Sequence, residues 1–311
     1  MAERAARGMR GDERERENGG TAGTALMEAV RMAEGYLEKR GVESPRLSAE
    51  LLLAKVLGCE RLDLYMRFDQ VLGREELSGY RGLLRRRAEH YPLQYLIGSV
   101  EFMSLPFRVR EGVFIPRPET ELLIELVEEF LGDEEKARFM EFGVGSGVIA
   151  GSLASRHPGW RGFAFDRSEP AAALAKENIE NLGLAGDRVS LFAAEGLEAV
   201  AAEGTFDLLV ANPPYIPTNV IETLQTEVSA FESRTALDGG PDGLSFYPVL
   251  AASGCRILRP GGIIALEIGD GEGEAVARIL AEAGYERTVV RKDYNGLERL
   301  AAAFRPGSRG A

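Results

Sequence analysis

The segment RFMEFGVGSGVIAGSLASR, residues 138–156, decides the fold class. Its first part, 138–142, is a short apolar-rich run that predicts a strand, and 148–156 predicts a helix. Between them, glycines at three alternate positions predict a tight turn whose backbone a ligand can approach closely. Such a turn could hold a dinucleotide, but the spacing here is G-x-G-x-G, which differs from the dinucleotide pattern G-x-G-x-x-G. The segment therefore predicts an α/β domain with a cofactor site at this turn.

Strand and helix patterns alternate from residue 138 towards the end of the chain. This alternation predicts βαβ units and a mostly parallel sheet that is covered by helices on both faces. The predicted strands are 138–142, 162–165, 189–193, 206–211, 263–268, 285–291 and 300–304, and the predicted helices are 148–156, 169–182, 246–258 and 274–283.

The region before this domain has a helical pattern. Apolar residues recur at spacings of three and four between residues 26 and 37, and Gly41 is expected to end that helix. Further helices are predicted at 48–57, with Ser48 as N-cap, and at 74–88. The last of these carries an arginine cluster, interpreted as a solvated face or alternatively as a contact face for an acidic or RNA-bound partner. The cluster comprises Arg81, Arg85, Arg86 and Arg87.

A change of pattern connects the two regions. Residues 95–98 and 107–109 predict the strands of a hairpin, and Thr120 is expected to cap a helix at 121–131. Charged residues with few large apolar ones predict disorder at the N-terminus. The predicted organisation is 1–22 disordered tail, 23–90 helical domain, 91–116 β-hairpin linker, 117–305 catalytic domain and 306–311 tail.

The bulk composition bears on partners and location. Lys and Arg number 37 against 49 Asp and Glu, and the formal net charge of −12 disfavours a protein that grips nucleic acid through phosphates. Cys59 and Cys255 form neither a disulfide framework nor a zinc pattern, and nothing suggests a metal. No signal peptide and no run of 18 apolar residues are visible. The expectation is a cytoplasmic protein without a membrane partner or a direct nucleic-acid substrate.

The acidic residues after the next strands suit S-adenosylmethionine as cofactor. This molecule has no phosphate, but it needs room for its amino-acid moiety and an acid for its ribose diol. Asp166, at the end of the 162–165 strand, can accept hydrogen bonds from both ribose hydroxyls. Glu195 could reach the adenine edge or be a plain surface acid. The predicted cofactor-binding residues are Gly143, Val144, Gly145, Ser146, Gly147, Asp166, Glu195, Gly196 and Asn212.

The fourth strand runs into Asn212-Pro213-Pro214-Tyr215, at the sheet edge where parallel-sheet enzymes bind ligands. An amide or aromatic amino nitrogen is a poor nucleophile because its lone pair is delocalised. Two acceptors for its N–H hydrogens, the Asn212 side-chain oxygen and the Pro213 carbonyl, would turn the lone pair towards a methyl donor. The prolines add no competing N–H groups, and Tyr215 offers a flat face for a planar amide or base. Asn212, Pro213 and Tyr215 are the predicted catalytic residues.

Over residues 25–305 the chain resembles the release-factor glutamine methyltransferases. The N-P-P-Y loop alone is shared with adenine-N6 and cytosine-N4 DNA methyltransferases, so it indicates the chemistry and leaves the substrate open. Three more segments resemble the signatures of this family. They are PLQYLIG at 92–98 followed by Glu101-Phe102, IPRPETE at 115–121, and ALDGGPDGL at 236–244.

The resemblance implies a Rossmann-like seven-stranded methyltransferase sheet after a helical domain that helps to grip the substrate. It implies methyl transfer to the N5 amide nitrogen of the glutamine in the Gly-Gly-Gln loop of class I peptide chain release factors. It also places the segment 117–120 at the site. The implied substrate-binding residues are Arg117, Glu119, Asn212, Pro213, Pro214 and Tyr215.

Three positions depart from the pattern of the family, all on the cofactor side. Many members have aspartate in place of Glu141 and near Glu195, and many have an aromatic residue in place of Gly196. The alternatives left open are methylation of a ribosomal-protein glutamine, an N6-adenine or N4-cytosine nucleic-acid methyltransferase, a non-catalytic cofactor-binding module and a dinucleotide oxidoreductase. The nucleic-acid alternative would need base extrusion and a basic track, which the net charge disfavours.

Overall fold

The computed structural model describes residues 24–194, 196–197, 200 and 203–307. The predicted tail at 1–22, most of the tail at 306–311 and Glu195 lie outside the described residues. The chain divides between Glu89 and His90 into two compact units.

The first unit is a helical bundle, as predicted. The apolar face of its first helix is buried, and Pro45 occupies the first turn of the second helix, where its missing N–H costs nothing. That helix therefore begins before Ser48, and the N-cap prediction for Ser48 is wrong. Ser48 is buried instead, and its hydroxyl accepts a hydrogen bond from Arg87 over 3.2 Å, so Arg87 does not belong to a solvated face. The helices are α1 (Leu26–Glu38), α2 (Pro45–Leu57), α3 (Asp63–Met66) and α4 (Arg74–Ala88).

The second unit begins with a short helix and a hairpin. Helix α5 (Leu93–Ile97) ends at Gly98, whose φ of 84° closes the turn. The predicted strand at 95–98 is therefore wrong. The hairpin follows it, and strands β1 (Ser99–Phe102) and β2 (Leu105–Arg108) pair antiparallel.

The remainder contains a seven-stranded sheet, whose strands are β3 (Arg138–Phe142), β4 (Arg161–Asp166), β5 (Val189–Ala193), β6 (Phe206–Ala211), β7 (Leu258–Glu267), β8 (Glu286–Lys292) and β9 (Glu298–Phe304). Their order in the sheet is β5-β4-β3-β6-β7-β9-β8. The first five strands in this order are parallel, and β9 is antiparallel to both of its neighbours. The predicted fold class is confirmed. The helices of this part are α6 (Glu121–Leu131), α7 (Val148–Arg156), α8 (Glu169–Asn181), α9 (Thr226–Ser229), α10 (Arg234–Leu237), α11 (Tyr247–Ile257) and α12 (Gly273–Glu282).

Both faces of the sheet are packed. Along β6, Leu208 and Val210 join one apolar cluster and Leu209 and Ala211 join the other, because successive side chains of a strand point to opposite faces. Each fully buried leucine or valine contributes about 1.5–3 kcal/mol to the hydrophobic stabilisation. A strand with two buried faces has a continuous apolar sequence. Because β6 is buried in this way, it fixes the position of the loop that follows Ala211.

No helix of the described residues is long and apolar enough to cross a bilayer.

Candidate active site

The turn after β3 keeps its shape through glycines with a left-handed backbone. Gly143, Gly145 and Gly147 have φ of 73°, 54° and 82°, values that glycine adopts at little cost. The Val144 N–H donates to the Phe165 carbonyl over 2.9 Å, which ties the turn to the end of β4. A Cβ on Gly147 would lie 3.3 Å from the backbone of α8. This glycine therefore also allows the close approach of that helix.

A groove opens beyond the carboxyl ends of β3, β4 and β6. The chain order of the strands reverses between β3 and β6, and such a switch point is where open α/β sheets bind ligands. Apolar side chains from before α6 and at the start of α11, including Phe114 and Phe246, complete its wall. The groove brings together most of the predicted site residues. These are Gly143, Val144, Gly145, Ser146, Asp166, Asn212, Pro213, Pro214 and Tyr215.

Asp166 links the glycine turn to the start of the next helix. One carboxylate oxygen accepts the Gly145 N–H over 2.9 Å, and the other accepts the Ser168 N–H over 2.8 Å. The side chain is half-buried and lines the groove. Each carboxylate oxygen has a further lone pair, so Asp166 is fixed in place and can still accept hydrogen bonds from a diol.

Glu141 is a buried acid at the same edge of the groove. It is 1% exposed, and among the described residues its hydrogen-bond donor is the Ala150 N–H at 2.9 Å. Burial raises the pKa of Glu141 well above its usual value, and the nearby charge of Asp166 adds to this rise while the Ala150 N–H opposes it. A positively charged ligand group in the groove would favour the ionised form. Together, the close-approach turn, the Asp166 acceptor and this acid fit a cationic adenosyl cofactor.

Asn212 is held by side chains from distant parts of the chain. Its Nδ2 donates to the Thr120 hydroxyl over 3.1 Å, and that hydroxyl donates to the Glu267 carboxylate over 2.7 Å. The other Glu267 oxygen accepts the Tyr215 hydroxyl over 3.2 Å. The buried Glu267 carboxylate therefore holds Tyr215 directly and Asn212 through Thr120.

Burial dominates the ionisation of this group. It raises the pKa of Glu267 to about 7, although the hydrogen bonds from Thr120 and Tyr215 and the charge of Arg299 act in the opposite direction. Burial, together with the Glu267 charge, raises the pKa of the Tyr215 hydroxyl above its usual value. Tyr215 is therefore a neutral hydrogen-bond donor at physiological pH.

The loop is backed by the glycine-rich segment at 236–244. Ile216 N–H donates to the Leu237 carbonyl over 3.0 Å, and Gly239 N–H donates back to the Ile216 carbonyl over 2.9 Å. A Cβ on Gly239 would lie 2.8 Å from Tyr215 Cα, and one on Gly243 would lie 2.5 Å from the Tyr215 carbonyl oxygen. Side chains at these glycines would displace the loop.

Comparison with known proteins decides the family. Two family profiles match: one described as PrmC N-terminal domain, over residues 28–98, and one described as Methyltransferase small domain, over residues 106–238. A release factor glutamine methyltransferase of Geobacter sulfurreducens is 42% identical over 266 residues, which are 86% of this chain and 92% of that protein. One of Moorella thermoacetica is 44% identical over 282 residues, with 90% and 97% covered.

The chain belongs to the release factor glutamine methyltransferase family. Among solved structures, the hMettl16 catalytic domain in complex with MAT2A 3′UTR hairpin 6 has a similar fold. Its TM-score is 0.53 at 16% identity, with 74% of this chain and 81% of that chain covered. At this identity the likeness concerns the fold alone.

Four of the predicted site residues do not line the groove of this family member. Arg117 forms an ion pair with the buried Glu232 and stacks over the Phe114 ring, with 4.9 Å from its guanidinium carbon to the ring centroid. The described residues that line the groove do not include Arg117, Glu119, Gly147 or Gly196. A direct role of these residues in binding stays a prediction, as does that of Glu195.

Thr120 lines the groove, as the resemblance implied for the segment 117–120, but sequence reasoning missed its hydrogen bonds and did not single out Glu267. Thr120 makes no side-chain capping bond to α6, so its predicted capping role is wrong. Its hydroxyl is used by Glu267 and Asn212 instead. A signal for Glu267 was present, because an acid that ends the apolar strand β7 must lie at the same sheet edge as Asn212.

Proposed function

We propose that this family member transfers a methyl group to the side-chain amide nitrogen, N5, of the glutamine in the Gly-Gly-Gln loop of class I peptide chain release factors. The family supports glutamine methylation of release factors, since the relatives carry that name along nearly their whole length. The observation that carries the proposal is the held Asn212 amide beside the cofactor groove. A release-factor substrate also locates the reaction in the cytoplasm.

The cofactor is S-adenosylmethionine, as expected for this methyltransferase family. When bound, it supplies a methyl group that its sulfonium has already activated. The residues that would hold it are the glycine turn at 143–147, Asp166, which would bind the ribose hydroxyls, and Glu141, which would lie near the positively charged part of the cofactor. The described residues contain no cluster that could hold a metal ion.

The N-P-P-Y loop prepares the substrate nitrogen. The Asn212 side-chain oxygen and the Pro213 carbonyl accept the two amide hydrogens, so the lone pair is free to face the methyl donor. Since the Asn212 nitrogen is engaged by Thr120, its oxygen is the group available to the substrate. Tyr215 supports the planar amide and stays uncharged. The chain thus contributes positioning and preorganised acceptors.

The test is methyl incorporation from labelled S-adenosylmethionine into purified release factor. The controls are the same factor with Gln→Ala in its Gly-Gly-Gln loop and the Asn212→Ala enzyme. We expect labelling of the intact factor only, with Asn212→Ala slowed by about 100- to 1,000-fold, the usual effect of deleting one preorganised polar group. Label that goes to ribosomal protein or DNA, and never to the intact factor, would overturn the substrate assignment.

A direct nucleic-acid substrate is not proposed. The similar fold of a protein crystallised with an RNA hairpin is shared at 16% identity, and the net charge of −12 disfavours a phosphate track.

A further inference from the structure

A buried hydrogen-bonded path leads from the end of β7 to the N-P-P-Y loop. Glu267 is 1% exposed and Thr120 is 2% exposed, so water does not compete for their hydrogen bonds. The path joins Glu267 to Thr120 and Thr120 to Asn212, and a branch joins Glu267 to Tyr215. These four residues come from three separate parts of the chain. Only the folded sheet brings them together.

The direction of each hydrogen bond follows from chemistry. In its ionised form the Glu267 carboxylate has no hydrogen to donate, so Thr120 gives its single hydroxyl hydrogen to Glu267. The Thr120 oxygen can then only accept, and the group of Asn212 that faces it must be the NH2. An amide flip would bring two acceptors, the Thr120 and Asn212 oxygens, into contact. The side-chain oxygen of Asn212 is thereby aimed away from Thr120.

We propose that Thr120 and Glu267 are positioning residues that fix which face of the Asn212 amide meets the substrate glutamine. This inference rests on the proposed function, because the acceptor that they select is the one that glutamine methylation requires. Neither residue touches the reacting atoms. Glu267 acts on Asn212 through Thr120, and it acts on Tyr215 directly.

A role in folding alone does not account for this arrangement. Among the described residues no cation forms an ion pair with Glu267, and burying a carboxylate in this way is unfavourable. The four residues before it in β7, at 263–266, are buried and apolar. Arg299, the nearby cation, forms its salt bridge with Asp293, at 3.3 Å. The hydrogen bonds of Glu267 go to the two parts of the site that must be oriented.

The decisive variants are Thr120→Val, which keeps the shape and deletes the hydroxyl, and Thr120→Ser, which restores it. The matched control is Thr205→Val, because the Thr205 hydroxyl donates to the Glu203 carbonyl away from the groove. We expect Thr120→Val to lower kcat by about 10- to 100-fold, the range that small misplacements at an active site cause. The KM for S-adenosylmethionine should change by less than about 2-fold, since the Thr120 hydroxyl is already engaged by Glu267 and Asn212. Thr120→Ser should recover most of the rate, and Thr205→Val should keep it.

A second readout needs no substrate. The side-chain amide of Asn212 gives two proton resonances in a nitrogen-15 correlation spectrum of the full chain, which Asn212→Ala identifies by their loss. In the wild type, the proton bound to Thr120 should be shifted downfield. Thr120→Val should remove this shift, and Thr120→Ser should restore it. Thermal melting of each variant checks that the fold is retained.

Each outcome decides a separate point. An Asn212 spectrum that is the same in Thr120→Val and the wild type would overturn the inference, and so would a kcat within about 2-fold of the wild type. If the wild type fails to methylate the release factor while the Asn212 resonances respond as expected, the substrate assignment falls and the positioning role stands. If Thr120→Val does not fold, Thr120→Ala takes its place, because it also deletes the hydroxyl that Asn212 binds. An undisturbed Asn212 spectrum in that variant would again refute the role.

Discussion

Replacing Glu267 by glutamine should make the stability of the catalytic unit less dependent on pH. Glu267 has a pKa of about 7 in the folded protein, against an ordinary value of 4.5, because it is fully buried. The folded chain therefore binds this proton more tightly than the unfolded chain does. The resulting stabilisation is fully present below about pH 4.5 and is lost as the pH rises through 7.

The size of the effect follows from the shift. A difference of about 2.5 pKa units at 1.36 kcal/mol each corresponds to about 3 kcal/mol, and most of it falls between pH 5 and pH 8. Glu267→Gln keeps the shape and cannot ionise. The free energy of unfolding of the variant minus that of the wild type should therefore rise by about 2 to 3 kcal/mol over this interval.

The assay is urea unfolding followed by the fluorescence of Trp160. It is the only tryptophan in the chain, and it is buried in the core of the catalytic unit, so it reports on that unit and not on the helical bundle. Taking the difference between variant and wild type cancels the titration of groups that both share, such as Glu141. A difference that stays constant within about 0.5 kcal/mol from pH 5 to pH 8 would refute the reasoning, because it would mean that Glu267 does not ionise in this range.

Three further outcomes are expected. Asp166→Ala should weaken S-adenosylmethionine binding by about 10- to 100-fold in calorimetry, because two charge-assisted hydrogen bonds are lost; an unchanged affinity would contradict the assignment of Asp166. Gly239→Ala should lower kcat by at least about 10-fold, because its Cβ would lie 2.8 Å from Tyr215 Cα and displace the loop. Circular dichroism should show that the fold is retained, and Gly82→Ala, at an exposed helical glycine, is the control. The kcat should fall as the pH drops through about 7, when Glu267 gains a proton beside Thr120, Tyr215, Arg299 and Glu119; a profile equally steep in Glu267→Gln would point to another group.

The sheet was predictable from the sequence because its central strands, such as β6, are local apolar runs with two buried faces. The two wrong predictions about secondary structure, the strand at 95–98 and the N-cap at Ser48, also have local causes. Residues 95–98 are an apolar run too short to distinguish a strand from a helical turn by periodicity, and the flanking Pro92 and Gly98 favour the turn. Ser48 looked like an N-cap only because Pro45, the residue that starts the helix, was left out of it.

The position of the candidate site at the sheet edge was predictable where its residues form one continuous motif, and the contact between Thr120 and Glu267 was not. The glycine turn and the N-P-P-Y loop both follow strands, so their place at the sheet edge follows from topology. Thr120 and Glu267 lie 147 positions apart, and their contact depends on the register of β7 beside β6. No local pattern carries that information, and the capping interpretation of Thr120 failed for this reason.

The pairing of Ile216 with the 236–244 segment isolates the stretch between them. Thr218 N–H donates to the Gly240 carbonyl over 2.9 Å, and the Thr218 hydroxyl bonds Asp238 over 2.6 Å, so both ends of this stretch are fastened within a few residues of Tyr215. Lengthening a loop whose ends are already joined costs little, about 0.6 kcal/mol for each doubling. The mostly exposed part of this stretch, residues 222–230, can therefore be exchanged or lengthened without moving Tyr215. The buried Ile221 and Glu232 must be kept, because Glu232 accepts hydrogen bonds from the Ile115 N–H and from Arg117. Insertions at 222–230 therefore test how far this loop can vary in length while the catalytic motif stays in place.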